Sequence, residues 1–144
     1  MRLVSSEATR MTAVDTNILF YAHDSRNPLK QKIANDLIGA LADGVLLWQV
    51  ACEYLWASRK LEIRGYSYVE AADDVRGLRR AWKTVLPTWP MLDRIEALKL
   101  SAGLSYWDAL LAGTCIEAGI ETLYSEDFGT LPRVGPLTIV NPFH

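Results

Sequence analysis

The chain is poor in the residues that build soft-metal and disulfide chemistry, with two histidines and two cysteines in 144 residues. His23 and His144 lie too far apart for a histidine-based metal site. Cys52 and Cys115 form neither a zinc-binding spacing nor a disulfide framework, and two isolated thiols fit a reducing cytoplasm. No run approaches ~18 uninterrupted apolar residues, which argues against a transmembrane helix. The opening stretch, Met-Arg-Leu-Val-Ser-Ser-Glu-Ala-Thr-Arg, is too short and too polar for a signal peptide. No strong charge of one sign is present: 15 basic residues face 17 acidic ones, for a net −2. A strongly basic nucleic-acid binder is thereby disfavoured. Repeats, low-complexity tracts and domain-dividing linkers are also missing.

What remains is an ordinary globular composition, half apolar and 22% charged, of a length that fits one domain with a real core. Residues 1–10 are expected to be a loosely held extension, with Met11 opening a single domain over 11–144 and offering an alternative translation start. The charge is unevenly spread. From Arg59 to Lys83 seven basic residues meet four acidic, while the remainder has eight against thirteen. Such a basic span is either a solvated helix face or a path for a polyanion.

Short apolar runs alternate with helical periods. Thr12-Ala13-Val14 reads as a buried strand. Pro28 opens a helix with Leu29, Ile33, Leu37 and Leu41 on one stripe. Asp43-Gly44 turns into a strand, Val45–Trp48, followed by a helix over about 49–60. A helix over 67–83 leads to a strand at Thr84-Val85-Leu86, closed by Pro87. A helix over 91–103 ends at Gly103, and Ser105 caps another that stops at Gly119. Glu121–Tyr124 and Leu137–Val140 are the last strands. Alternating strands and helices indicate a parallel sheet covered on both faces.

Four acids fall at strand ends or in first helical turns: Asp15, Glu53, Asp108 and Asp127. In open parallel sheets, sites form beyond the carboxyl ends of the strands, where strand order reverses. Gathered there, four carboxylates repel one another unless a divalent cation fills the pocket, and a filled pocket suits phosphodiester chemistry. Each acid also has a plainer reading. Asp15 fits a helix N-cap or an Asx-turn. Asp108 completes a capping-box pattern with Ser105. Glu53 reads as a surface acid, and Glu126 competes with Asp127 in one polar turn. Thr16 and Ser125 supply hydroxyls suited to holding a carboxylate or a metal-bound water.

In order along the chain, Val-Asp-Thr-Asn-Ile-Leu, Ser-Tyr-Trp-Asp-Ala-Leu-Leu and Leu-Tyr-Ser-Glu-Asp-Phe resemble the PIN-domain family of metal-dependent nucleases. The match is closest to the small ribonuclease toxins of VapBC toxin–antitoxin pairs, and it runs from Val14 to Asn141-Pro142-Phe143. The resemblance implies a three-layer α/β/α sandwich around a five-stranded parallel sheet in order 3-2-1-4-5. It places Asp15, Glu53, Asp108 and Asp127 on the family's acidic positions, and Asn17 and Ser125 on its accessory polar ones. It also implies a homodimer and a cognate antitoxin that blocks the acidic site.

The expected activity is metal-dependent endoribonuclease cleavage with Mg²⁺ or Mn²⁺ on the four carboxylates, since an all-oxygen donor set favours hard ions. RNA would approach along basic residues including Arg59, Lys60, Arg64, Arg79 and Arg80. A phosphatase working through an aspartyl intermediate needs a second Asp where Asn17 stands. A response-regulator receiver needs a lysine near the last strand, where Pro142-Phe143 lies. The non-enzymatic alternative is a PIN-like domain that binds RNA or a partner without cutting.

Overall fold

A computed structural model describes residues 11–144; the expected extension over 1–10 lies outside the described residues. Six strands form one sheet. They are β1 (Thr12–Val14), β2 (Gly44–Leu47), β3 (Lys83–Val85), β4 (Thr122–Tyr124), β5 (Arg133–Val134) and β6 (Leu137–Val140). Their order is β3-β2-β1-β4-β6-β5. Every pairing is parallel except β5 with β6. The five parallel strands are those expected, in the expected order. The sixth, β5, is a two-residue return against the edge of β6, too short to leave a period in the sequence.

The helices are α1 (Thr16–Tyr21), α2 (Pro28–Ala40), α3 (Trp48–Ala57), α4 (Tyr68–Ala81), α5 (Trp89–Asp93), α6 (Ile95–Ala102) and α7 (Tyr106–Glu117). A 3₁₀ segment, Ser58–Arg64, continues α3 and ends at Gly65 with φ 90°. The expected helix over 91–103 is two helices that break at Arg94. Helix α1 follows β1 after a single residue and spans only six, too few to show a helical period in the sequence.

Burial explains why the central strands hold. All four residues of β2 are buried, and Ala13 and Val14 are closed off on both faces. Both faces of such a strand must be apolar, and these are. At the start of β2, Gly44 lies so close under the Trp82 indole that a Cβ there would collide with it. On the flanking helices the stripes are less buried than their periods suggest. In α2 only Ala34 is fully buried, and Leu29 is exposed.

The end of α1 is tied to α3 and α4 by a polar chain. His23 stacks on the Tyr66 ring at 4.2 Å, and its Nε2 lies 3.0 Å from Asp74. The Tyr66 hydroxyl donates to Asp74 and meets the Tyr54 hydroxyl at 2.5 Å. Among the described residues no helix is long and apolar enough to cross a membrane.

Candidate active site

The ladder between β1 and β4 pairs Val14 with Tyr124 and then runs one residue further. Asp15 N–H donates to the Tyr124 carbonyl at 2.9 Å, and Ser125 N–H donates to the Val140 carbonyl at 2.9 Å. That extension sets Asp15 beside Ser125 at the carboxyl edge of the sheet. Both are buried. Ser125 Oγ donates to Asp15 Oδ2 at 2.7 Å and accepts the Asp127 N–H at 3.0 Å. Asp15 Oδ1 accepts the Thr16 N–H at 2.7 Å, so Asp15 also caps α1. Cap and site residue are one and the same.

Two further carboxylates are steered from α1. The Thr16 hydroxyl donates to Glu53 Oε1 at 3.1 Å, and Asn17 Nδ2 donates to Asp127 Oδ2 at 3.0 Å. Asp108 enters from the first turn of α7. Ser105 caps that helix by accepting the Asp108 N–H at 3.3 Å. The reciprocal bond to the Ser105 N–H that would complete a capping box is not formed, and the Asp108 side chain lines the site.

Asp15, Glu53, Asp108 and Asp127 therefore line one cleft of about 290 Å³, together with Thr16, Gln49, Trp56 and Trp107. Glu126 points elsewhere: it accepts from the Tyr21 hydroxyl at 2.6 Å and pairs with Lys30 at 3.0 Å. Burial pushes the Asp15 carboxyl up to about 6, against the pull of Ser125 and Thr16 and with a smaller push from Asp127 and Glu53. Burial also raises Asp108; the Ser105 hydroxyl opposes this and Asp127 adds to it. In both, burial is the larger cause and the neighbouring charge the smaller one. Among the described residues, no three acids, histidines or cysteines stand close enough to grip an ion as the side chains now sit.

The basic residues divide. Arg59, on the 3₁₀ segment, lays its guanidinium 3.6 Å over the Trp56 ring, on the rim of the acid cleft. Lys60 and Arg64 follow it on the same exposed segment. Arg79 and Arg80 occupy the last turn of α4, which feeds the start of β3. They lie at the amino edge of the sheet, opposite the carboxylates. Gln49, Trp56 and Trp107 line the cleft without having been singled out from the sequence. The available signals were helical spacing from Glu53 for the first two and adjacency to Asp108 for the third.

A sequence profile for the PIN domain matches residues 12–135. The chain belongs to the PIN domain family. No curated protein sequence matches it. This PIN domain is similar to solved structures at low identity. A toxin–antitoxin complex from Klebsiella pneumoniae is 18% identical with a TM-score of 0.63, covering 91% of this chain and 97% of that one. VapBC2 from Rickettsia felis, bound to a DNA fragment from their promoter, is 14% identical with a TM-score of 0.64, covering 91% and 98%. The Sarcin-Ricin loop cleaving toxin VapC20 from Mycobacterium tuberculosis is 17% identical with a TM-score of 0.59, covering 81% and 92%. At these identities the likeness is one of fold.

Proposed function

We propose that this PIN domain is a Mg²⁺- or Mn²⁺-dependent endoribonuclease and the toxin of a toxin–antitoxin pair. The observation that carries the reading is the convergence of Asp15, Glu53, Asp108 and Asp127 on one cleft from four separate elements. The donor set fits a hard divalent cation because it is oxygen throughout. A second feature supports the fit: Asn17 Oδ1 is buried without a hydrogen-bond partner, an acceptor left over beside the acids.

Asp15, Asp108, Asp127 and Glu53 would hold the metal, which when bound supplies Lewis acidity at the phosphate and acidifies a water near neutral pH. The chain's own work is positional. Ser125 and Thr16 hold Asp15 at both oxygens, Thr16 turns Glu53 inward, and Asn17 fixes Asp127. Burial, with a smaller push from neighbouring acids, holds the Asp15 and Asp108 carboxyls above their ordinary values, so protons would compete with a cation for them on acidification.

The fold shared with toxin–antitoxin complexes supports a cognate antitoxin as partner; a homodimer is what the sequence resemblance implies. Beside the acid cleft lies a largely apolar cavity of about 630 Å³, walled by Trp48, Trp89, Leu92 and Trp107. It offers apolar surface for a protein contact. Two unpaired cysteines, Cys52 exposed and Cys115 buried, suit a reducing cytoplasm.

The test is cleavage of a mixed RNA pool with Mg²⁺ or Mn²⁺ by the wild-type chain and by Asp108→Asn. Cutting by wild type alone supports the reading. Equal cutting by both removes Asp108 from the site. Failure of folded wild type to bind Mg²⁺ or Mn²⁺ by titration calorimetry would favour the non-catalytic PIN-like binding domain instead.

A further inference from the structure

Two tryptophans stand exposed on the walls of the acid cleft: Trp56 at 65% and Trp107 at 62% of full exposure. Large rings with this much surface in water are unusual enough to need a reason. Each has a polar neighbour suited to a ligand. The Arg59 guanidinium covers one face of Trp56, and no carboxylate among the described residues pairs with it. Near Trp107, Gln49 Oε1 is buried with no hydrogen-bond partner. Gln49, Glu53 and Trp107 line both the acid cleft and the apolar cavity beside it.

The spacing along α3 is ordered. Gln49, Glu53 and Trp56 recur at i, i+4 and i+7 on one face, which sets them roughly 6 Å and roughly 4.5 Å apart along the helix axis. Those are steps of nucleotide size, with the acid in the middle. Toward the start of the helix lie Gln49 and the Trp107 ring; toward its end lie Trp56 and Arg59.

We propose that Trp107 with Gln49, and Trp56 with Arg59, are two subsites that stack unpaired bases on either side of the phosphodiester presented to the acids. The inference rests on the nuclease reading and adds to it the side chains on which the bases flanking the cut would stack. A duplex keeps its base faces stacked on one another and offers neither ring a surface, whereas splayed bases stack freely on aromatic side chains. The Arg59 charge sits where a flanking phosphate must pass an otherwise negative rim. The orphaned Gln49 oxygen takes an N–H from a base edge or a ribose hydroxyl, the donor it lacks within the protein.

The experiment is fluorescence anisotropy of a short labelled RNA with Mg²⁺, in the Asp108→Asn background so that binding is read without cleavage. The same RNA annealed to its complement is the control. Single strand is expected to bind at least about tenfold more tightly than duplex. Trp56→Ala and Trp107→Ala should each weaken it by roughly ten- to a hundredfold, while Trp→Phe at either position keeps most of the affinity. Gln49→Leu should weaken binding by less. Unchanged melting temperatures would show that the exposed rings were removed without loss of fold. Equal binding of duplex, or alanine variants that bind as tightly as their parent, overturns the subsites and leaves the rings to a protein contact. Cleavage by the otherwise wild-type chain, measured in parallel, reports separately on the nuclease reading.

Discussion

Ser125 and Asp15 are joined by a 2.7 Å hydrogen bond across the β1–β4 pairing, 110 residues apart in sequence. The same hydroxyl oxygen accepts the backbone N–H of Asp127. One side chain thus orients the buried acid and anchors the turn that delivers an exposed one. Ser125→Ala removes both bonds and the group that most lowers the Asp15 carboxyl. Metal affinity at pH 7 is expected to fall roughly tenfold to a hundredfold, the range usual for groups that support metal ligands. Titration calorimetry with Mn²⁺ would check this, and unchanged affinity would show that the hydroxyl is incidental.

Asp15 also makes stability depend on pH. Its folded-state pKa, about 6, lies above the unfolded value near 3.8. The native state therefore binds the proton more tightly, and the stability this contributes is full below pH ~4 and lost as pH rises through about 6. Without metal, Asp15→Asn should be more stable than wild type at pH 7, by up to ~3 kcal/mol. The difference should vanish near pH 4. Urea unfolding of both proteins at the two pH values gives the comparison, and a gap that grows on acidification would refute the assignment. Mg²⁺ should reverse the trend for wild type, because it binds the ionised form.

The turn Ser125-Glu126-Asp127 contains two acids with different fates. Glu126 is occupied by Tyr21 and Lys30, whereas Asp127 lines the cleft with Asn17 on one oxygen. Asp127→Asn is expected to lower cleavage by about a hundredfold or more with little change in melting temperature. Glu126→Gln should leave cleavage within about threefold and instead cost about 1 kcal/mol of stability, typical of a half-exposed ion pair with added hydrogen bonds. Matched rate and melting measurements on the pair would expose a reversed assignment at once.

Gly44 has a packing role distant from the chemistry. Any Cβ at that position meets the Trp82 ring, which is itself nearly buried against the start of β2 and β3. Gly44→Ala should destabilise the fold by ~1–3 kcal/mol through overpacking. A urea midpoint equal to wild type would mean that Trp82 moves aside freely.

Strand ends were legible because parallel strands buried on both faces write short apolar runs, and Asp15 stands where such a run stops. The shared order of the five parallel strands followed from the family resemblance. The direction taken by Glu126 was not legible, since it depends on Lys30 and Tyr21, which lie about a hundred residues away in sequence. The half-formed capping box at Asp108 has the same letters as a complete one; only the rotamer separates them. Helix α2 shows the limit of periodicity: its stripe marks a helix, but Leu29 on that stripe faces solvent. Gln49 and Trp107 carried no signature of their own, because a glutamine or tryptophan becomes part of a site only through what the fold sets opposite it.

The pairing of β4 with both β1 and β6 makes the site depend on the order in which the sheet is completed. Ser125 is held in place by the carbonyl of Val140 on β6. Until β6 docks, the sheet lacks the strand that seats Ser125, and with it the support for Asp15 and Asp127. On the nuclease reading, a chain whose β6 is undocked is no finished catalyst, so the activity is tied to completion of the sheet and not to the acids alone.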